Sequence, residues 1–209
     1  MEEQDERDAP EVGACSFLGR QAVGGFPADA ESEEEKGAGS ESTPRLQRPM
    51  PDLQLIRLDH APALLAFERE NRAYFAAVIP DRGDEFFAEF DMRYAQLLAS
   101  QAAGTDYFHL LVVEGGEVVG RVNLAGVADG SAELGYRIAQ KAAGQELTTA
   151  AVRQVREFAA TKYGLTRLLA RVTLDNPASR KVLEHNGFVA IGELTLNGKP
   201  AISYICELQ

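Results

Sequence analysis

Residues 131–173, SAELGYRIAQKAAGQELTTAAVRQVREFAATKYGLTRLLARVT, decide the fold of this chain. The stretch begins with an apolar run that ends near Ala139, and Gly144 lies in the turn that follows. A pattern with the helix period then continues to about Tyr163, before a second apolar run at residues 166–173. A strand, a helix and a strand in this order predict two parallel strands joined by a right-handed crossover.

The residues before this unit predict an antiparallel meander. Residues 107–114 and 117–127 are apolar runs joined through Gly115-Gly116, a pair typical of a tight hairpin. Asp129-Gly130 marks a second turn, which leads into the strand that begins at residue 131. Three neighbouring antiparallel strands therefore precede the predicted helix.

The outer parts of the chain complete the predicted order. The alternating run LQLIRL at residues 53–58 predicts a strand, and helical spacing predicts helices at 61–75 and 84–103. A short helix at 177–186 is expected after the crossover, followed by strands at 188–194 and 201–208 around the turn Asn197-Gly198. The order β-α-α-β-β-β-α-β-α-β-β predicts an α+β domain around one mixed sheet.

The first 50 residues differ in composition from the rest. They hold 12 acidic and 5 basic residues, include the run ESEEEK, and show no sustained helix or strand period. Such a segment cannot bury enough apolar surface to offset its ordering entropy, so we expect a disordered acidic tail at 1–50 and one domain at 51–209. Met50 is an alternative natural start, because the domain pattern begins directly after it.

Composition excludes several classes of protein. A formal net charge of -11 argues against general nucleic-acid binding, which needs clustered lysine and arginine. No apolar stretch approaches eighteen residues, and the polar start MEEQDERDAP is unlike a targeting leader, so we expect no membrane association and a cytoplasmic location. Cys15 and Cys206 suggest neither a disulfide scaffold nor a cysteine-based metal site, and we expect no metal.

The turn around Gly144 has the chemistry of a phosphate site. A helix that begins after a short glycine-containing turn presents unpaired N–H groups and the positive end of its dipole, which suits a pyrophosphate. Thr148 and Thr149 add hydroxyl donors in the first turn. The P-loop and dinucleotide-turn patterns are both absent. Taken by itself, the turn is equally well explained as an ordinary connection between a strand and a helix.

A second segment, LDNPASRKVLEHNGF at residues 174–188, predicts a capped helix with polar side chains in its first turn. Asn176 or Asp175 is placed to cap the helix, with Pro177 at its first position. We expect Asn176 and Ser179 to present polar groups to the groove between the two crossover strands.

Together the two segments resemble a known family. IAQKAAGQELTTAAV is similar to the acyl-CoA pyrophosphate loop of the GNAT superfamily of N-acetyltransferases, and DNPASRKVLEHNGF is similar to its later Asn-x-x-Ser segment. The motifs ELGYRIA and DNPAS most resemble the branch that acetylates the N-terminal amines of ribosomal proteins, which has many bacterial relatives. The resemblance covers roughly residues 53–209. It implies a mostly antiparallel mixed sheet flanked by helices, with its parallel pair splayed at the cofactor site.

The resemblance also implies a cosubstrate and its contacts. Acetyl-CoA would give its acetyl group directly to an amine, with the pantetheine arm against Ile138 and Ala139 and the pyrophosphate on the amides of the turn. Asn176 would bond to the pantetheine amides, and Ser179 would lie near the sulfur as a proton donor. The implied acyl-CoA contacts are Ile138, Ala139, Lys141, Ala142, Ala143, Gly144, Gln145, Glu146, Leu147, Thr148, Thr149, Asn176 and Ser179.

The chemistry requires a base for the amine and a proton donor for the thiolate. Glu133 is the candidate base, although a solvated carboxylate is the plainer interpretation, and Ser179 and Tyr204 are candidate proton donors. Tyr136 could also donate, although tyrosines in sheets more often serve packing. We expect His109 to serve the sheet core or its edge.

The acceptor is a primary amine, either a protein N-terminus or a small molecule. Glu68 and Arg69 on the first helix are candidates for lining its groove. An acidic groove formed by Glu68, Glu70 or Glu133 would suit a cationic acceptor. A monomer and a homodimer are both compatible with the sequence.

The chain departs from the family pattern at two positions of the loop. Lys141 stands where the family has Arg or Gln, and it keeps a positive charge near the phosphates. Glu146 stands where the family has Gly or Ala, and a carboxylate near two phosphates could cost on the order of a kcal/mol. Glu146 motivates an alternative function, a catalytically degenerate binding or regulatory module with the same fold.

Overall fold

The computed structural model describes residues 51–209; the predicted tail, with the alternative start at Met50, lies outside the described residues. Within this part of the chain, seven strands form one sheet in the order β1-β2-β3-β4-β5-β7-β6. The strands are β1 Asp52–Leu55, β2 Tyr107–Val112, β3 Val118–Ala128, β4 Ser131–Ile138, β5 Arg167–Thr173, β6 Val189–Leu196 and β7 Lys199–Glu207. The helices are α1 Ala61–Glu70, α2 Arg72–Ala76, α3 Gly83–Ala88, α4 Phe90–Ala103, α5 Gln145–Thr161 and α6 Pro177–His185.

Two predicted turns have the backbone geometry that tight hairpins require. Asp129 and Gly130 have φ values of 50° and 70°, and Asn197 and Gly198 have values of 51° and 77°. Positive φ at both central residues gives the turn a twist that matches the strands it joins. These turns fix the β3–β4 and β6–β7 hairpins, in which the strands pair antiparallel.

Helices cover both faces of the sheet and bury two apolar clusters. On one face, α5 and α6 contribute Val152, Val155 and Leu183, which pack with Leu134 and Tyr136 of β4. On the other face, α1 to α4 pack against the strands through a second cluster. The predicted α+β architecture, with a mostly antiparallel sheet, is confirmed.

The two N-terminal helical regions are each interrupted where the sequence predicts a continuous helix. In the first, α1 ends at Asn71, whose side-chain Nδ2 donates to the Phe67 carbonyl while its Oδ1 accepts from the N–H of Gln140. In the second, Glu89 separates α3 from α4, but its N–H still donates to Glu85 and its carbonyl accepts from Arg93. The apolar spacing is unchanged by these breaks, so the sequence pattern does not show them.

The parallel pair of the sheet separates partway along its length. Ser131, Ala132 and Glu133 of β4 pair with Arg167, Leu168 and Leu169 of β5. Beyond these residues, β4 continues against β3 as far as Ile138, and β5 continues against β7 as far as Thr173. The two strands therefore diverge after Glu133, and the predicted splay is present. No described helix is long and apolar enough to cross a membrane.

Candidate active site

The predicted phosphate turn connects the diverging end of β4 to α5. A 3-10 turn covers Gln140–Ala142, and Gly144 is the N-cap residue of α5. Gly144 has an extended φ of 167°, which any residue can adopt. A Cβ atom at Gly144 would meet nothing within 4 Å, so neither backbone strain nor protein packing calls for glycine here. The missing side chain instead leaves open space in front of the helix N-terminus.

The two threonines of the first turn have different environments. The side-chain Oγ1 of Thr148 donates to the Gly144 carbonyl at 3.1 Å, and the residue is fully buried. Its hydroxyl therefore fixes the turn internally, whereas Thr149 is half-buried. The backbone N–H groups at the start of the helix, which lack intrahelical partners, are the main donors that the turn can offer to an anion.

The two residues that depart from the family pattern both lie at the surface. Glu146 is exposed in the first turn of α5. The ammonium group of Lys141 forms an ion pair with Glu117, and this hydrogen bond raises the pKa of Lys141. Neither side chain comes within 4 Å of the position that a Cβ atom at Gly144 would take.

Asn176 and Ser179 lie at the start of α6, over the diverging strands. The side-chain Oδ1 of Asn176 accepts from the N–H of Ser179 at 3.1 Å, which is the predicted helix cap. The Tyr136 hydroxyl donates to the Ser179 carbonyl at 3.3 Å, so the first turn of α6 is held against β4 two residues before Ile138. Burial raises the pKa of Tyr136. The Ser179 Oγ is buried and has no hydrogen-bond partner among the described residues.

Glu133 stands where β4 and β5 begin to separate, since its pairing with Leu169 is the last between the two strands. Arg171, two residues farther along β5, donates to both carboxylate oxygens of Glu133 at 2.7 to 3.0 Å. The side chains of Arg171 and Glu133 are 25% and 18% exposed, so the pair is reached by solvent. A carboxylate has about four acceptor positions, and Glu133 keeps capacity for a further donor.

Tyr204 is buried on β7 and faces α6. Its hydroxyl donates to Glu184 Oε1 at 3.1 Å and accepts from Arg180 Nε at 3.4 Å. Because both partners belong to α6, the hydroxyl links the last strand to that helix. A role for Tyr204 as the proton donor to the thiolate stays a prediction.

His109 lies in the sheet interior and is only 1% exposed. Its Nε2 is 2.8 Å from the Tyr163 hydroxyl, and its Nδ1 is 3.3 Å from the Val122 carbonyl. Burial lowers the pKa of His109 to about 4, so the ring is neutral at physiological pH. This placement agrees with the expected role in the sheet core.

Glu68 is buried among three arginines. Its Oε1 is 3.0 Å from Arg121 Nε, and its Oε2 is 3.1 Å from Arg137 Nη1 and 3.8 Å from Arg82 Nε. Burial alone would raise the pKa of Glu68, but the three positive charges outweigh that effect and lower it to about 2. Glu68 is therefore an internal counter-ion.

The expected acidic groove does not form. Glu68 contacts Arg137, whereas Glu133 lies four residues away on the same strand, about 13 Å at the rise of a β-strand. Both carboxylates are bound to arginines, and Glu70 is exposed. The three carboxylates therefore do not line one groove, because Glu68 and Glu133 are each held by a different arginine and Glu70 lies at the surface.

The arginines that bind Glu68 and Glu133 were not predicted from the sequence. Arg121 and Arg137 interrupt otherwise apolar strands in VVGRVNL and GYRI, which is the signal that could have identified them. They are direct cross-strand neighbours on β3 and β4, a like-charge pairing that a sheet tolerates only with a counter-ion. Arg171 interrupts the apolar run LLARVT in the same way, whereas Asn71, at the end of a helical pattern, had no such signal.

A family model described as an acetyltransferase (GNAT) domain matches residues 52–189. No curated protein matches the chain.

Solved structures share the fold at low sequence identity. The ribosomal-protein-S5-alanine acetyltransferase of Vibrio fischeri has a TM-score of 0.71 and 22% identity, covering 77% of this chain and 94% of that one. RimJ of Mycobacterium smegmatis, in complex with a CoA disulfide, has a TM-score of 0.65 and 22% identity, covering 74% and 80%. Spermidine N-acetyltransferase of Vibrio cholerae, in complex with CoA and spermine, has a TM-score of 0.64 and 16% identity, covering 77% and 96%.

Proposed function

The chain belongs to the GNAT acetyltransferase family, and from that premise we propose that it transfers an acetyl group from acetyl-CoA directly to a primary amine. The observation that carries this proposal is the separation of β4 and β5 after Glu133, with the N-termini of α5 and α6 beside the opened strands. An extended acyl-CoA arm needs free backbone groups along a strand and a cluster of N–H donors at its phosphates. Both requirements are met at this one place.

The residues present fit the pantetheine arm and the pyrophosphate. Between Glu133 and Ile138, β4 has no parallel partner, so backbone groups on that edge can bind an extended ligand in a β-like manner. The orphaned Ser179 Oγ is buried beside this edge, and a buried hydroxyl without a partner costs free energy that a ligand atom can recover. Ile138 and Ala139 would contact the arm, and Asn176 would bond to its amides.

The turn would hold the pyrophosphate through the backbone amides of residues 144–147. The amides of Ala142, Ala143 and Thr148, which the sequence also suggested, already donate to carbonyls of the turn. Open space at Gly144 allows phosphates to approach the helix N-terminus without meeting a side chain. Lys141 would have to leave Glu117 to reach a phosphate, and both side chains are about half exposed, at 54% and 48%. An ion pair at such exposure contributes only about 0–1 kcal/mol, so moving Lys141 from Glu117 to a phosphate would cost little free energy.

The chemistry that acetyl-CoA supplies is an activated thioester carbonyl. Glu133 would take the proton of the incoming ammonium, directly or through water, using an acceptor position that Arg171 leaves free. Arg171 would hold the carboxylate toward the point where the strands separate. Ser179 or Tyr204 would deliver a proton to the departing thiolate.

The acceptor class is supported by the structural neighbours, which include an enzyme for a ribosomal-protein alanine and one for spermidine. A primary amine is common to both. We propose a protein N-terminus or a small amine as the acceptor of this chain.

The decisive assay is acetyl transfer to a panel of amines, with the free thiol of CoA and the acetylated product both quantified. The panel contains short peptides with free N-termini, their N-terminally blocked counterparts, and polyamines. We expect thiol release in proportion to acetylated product for at least one free amine and none for its blocked counterpart. Thiol release without any acetylated amine across the panel would contradict the proposal.

Glu146 motivates the second candidate function, a degenerate binding module. Because its side chain is exposed and leaves the space at Gly144 open, it would compete with a ligand only from solvent. If the wild type bound no acyl-CoA and a Glu146→Gly variant did, the degenerate module would be the better description. Binding and turnover by both would exclude it.

A further inference from the structure

One face of the sheet between β4 and β6 lies open beside the candidate active site. On the opposite face, Leu168 and Ala170 of β5 are fully buried beneath α5 and α6. The apolar cluster beneath α1 to α4, by contrast, takes its strand residues from β2 and β3 within the described part of the chain. Near the β6–β7 turn, Leu194 and Leu196 pack on Ala201 and close the face. The open part is therefore the middle of β5, β7 and β6.

A line of paired residues crosses this open face and begins at Glu133. Glu133 pairs with Leu169 of β5, and Leu169 pairs with Ile205 of β7. Ile205 pairs in turn with Val189 of β6. Directly paired residues project from the same face of a sheet, so the four side chains lie in one line. We call Leu169, Ile205 and Val189 the apolar row.

The apolar row is accessible to a ligand. Leu169 and Val189 are 38% and 64% exposed, and Ile205, which pairs with both, is half-buried. Solvent also reaches Glu133 and its partner Arg171 at the end of the row. Contiguous exposed apolar side chains beside polar groups are typical of interaction sites. A ligand bound at Glu133 could contact the row without any rearrangement of the sheet.

The charges on the open face do not favour a polyamine. Glu133 is already bound by Arg171, and Glu207 lies directly across from Arg167 in the sheet. Each of these two carboxylates therefore has an arginine as its neighbour. A polyamine carries several positive charges, and this part of the face offers little net negative charge to bind them. An acceptor with a single ammonium group and an apolar body fits the face better.

We propose that the apolar row binds the first residues of a protein N-terminus whose amine lies at Glu133. This inference rests on the proposed acetyl transfer and narrows its acceptor to a polypeptide with apolar residues directly after the first. Neighbouring strands are about 4.8 Å apart, so three strand spacings from Glu133 to Val189 span about 14 Å. An extended chain advances about 3.3–3.6 Å per residue, so about four residues span the row.

The test compares two peptides and a polyamine as acceptors of the full chain. The peptides begin Ala-Ile-Leu-Val and Ala-Ser-Asn-Thr and share a soluble tail without lysine; the polyamine is spermidine. We expect kcat/KM for the apolar peptide to exceed that for the polar peptide about tenfold or more, because one large apolar side chain buried on the row contributes that much. With CoA, which has no acetyl group to transfer, calorimetric titration should show the same order of peptide affinity.

Substitutions in the row connect the preference to this face. Leu169→Ser and Val189→Ser should each lower the ratio of kcat/KM between the two peptides at least about threefold. Leu58→Ser makes the same change at an exposed leucine just after β1, at the opposite edge of the sheet, and should leave the ratio unchanged. Thermal unfolding checks that the variants fold, and melting temperatures within about 2 °C of the wild type are expected at such exposed positions.

The outcomes separate this inference from the proposed function. Acetylation of the polar peptide or of spermidine as efficiently as the apolar peptide would overturn the inference and leave acetyl transfer intact. A ratio that is unchanged in both Leu169→Ser and Val189→Ser would do the same. Acetylation of none of the three acceptors would overturn both. If light scattering showed a dimer that Leu169→Ser converts to a monomer with an unchanged ratio, the face would be an interface between copies of the chain instead.

Discussion

Replacing Glu68 with glutamine should destabilise the fold strongly. The carboxylate is 2% exposed and is the counter-ion shared by Arg82, Arg121 and Arg137. Breaking a buried ion pair from one side costs about 3–5 kcal/mol, because the remaining charges stay buried without compensation. For a chain of this size, 1 kcal/mol shifts the melting temperature by about 2–4 °C. The melting temperature of Glu68→Gln should therefore be about 6–20 °C below that of the wild type.

Thermal unfolding followed by circular dichroism at neutral pH measures this loss. Glu70→Gln is the matched control, since it makes the same chemical change two residues farther along α1 at an exposed position. Its melting temperature should stay within about 2 °C of the wild type, as for most surface substitutions. If Glu68→Gln melts within about 2 °C of Glu70→Gln, the arginine cluster does not need its counter-ion and the reasoning is refuted.

Three further predictions concern pH and the active site. The pKa of Glu68 is lowered from 4.5 to about 2, so its stabilising effect is complete above about pH 4.5 and is lost as the pH falls toward 2. The unfolding free energy in urea should therefore fall more steeply from about pH 4.5 toward pH 2 for the wild type than for Glu68→Gln, and parallel curves would contradict this. Glu146→Gly should tighten acetyl-CoA binding about fivefold by removing a carboxylate near the phosphates, measured by titration calorimetry; equal or weaker binding would show that Glu146 does not compete. Glu133→Gln should lower kcat about 10²-fold or more while the Kd for acetyl-CoA is unchanged, and an unaltered kcat would remove Glu133 as the base.

The sequence predicted the parts of the fold that depend on local patterns. Alternation and helix period identified the elements, and Asp129-Gly130 and Asn197-Gly198 identified two hairpins, because positive φ at both turn residues restricts the residue types allowed. The crossover rule then placed β4 and β5 side by side in parallel.

Local sequence patterns did not predict which side chains from distant elements pair with each other. Arg137 and Glu68 are 69 positions apart, and their contact depends on how α1 packs over the sheet. Asn71 ends α1 through a hydrogen bond to Gln140, which is equally distant in sequence. A charged residue in an apolar strand shows that a partner is needed, but it does not show which residue provides it.

Hydrogen exchange with and without millimolar acetyl-CoA tests the central claim, that the separated strands and the adjoining turn hold this cosubstrate. We expect slower exchange of the amides at 142–149 and 176–179, with residues 52–60 at the far edge of the sheet unchanged. Unchanged exchange at 142–149 under saturating acetyl-CoA would contradict it.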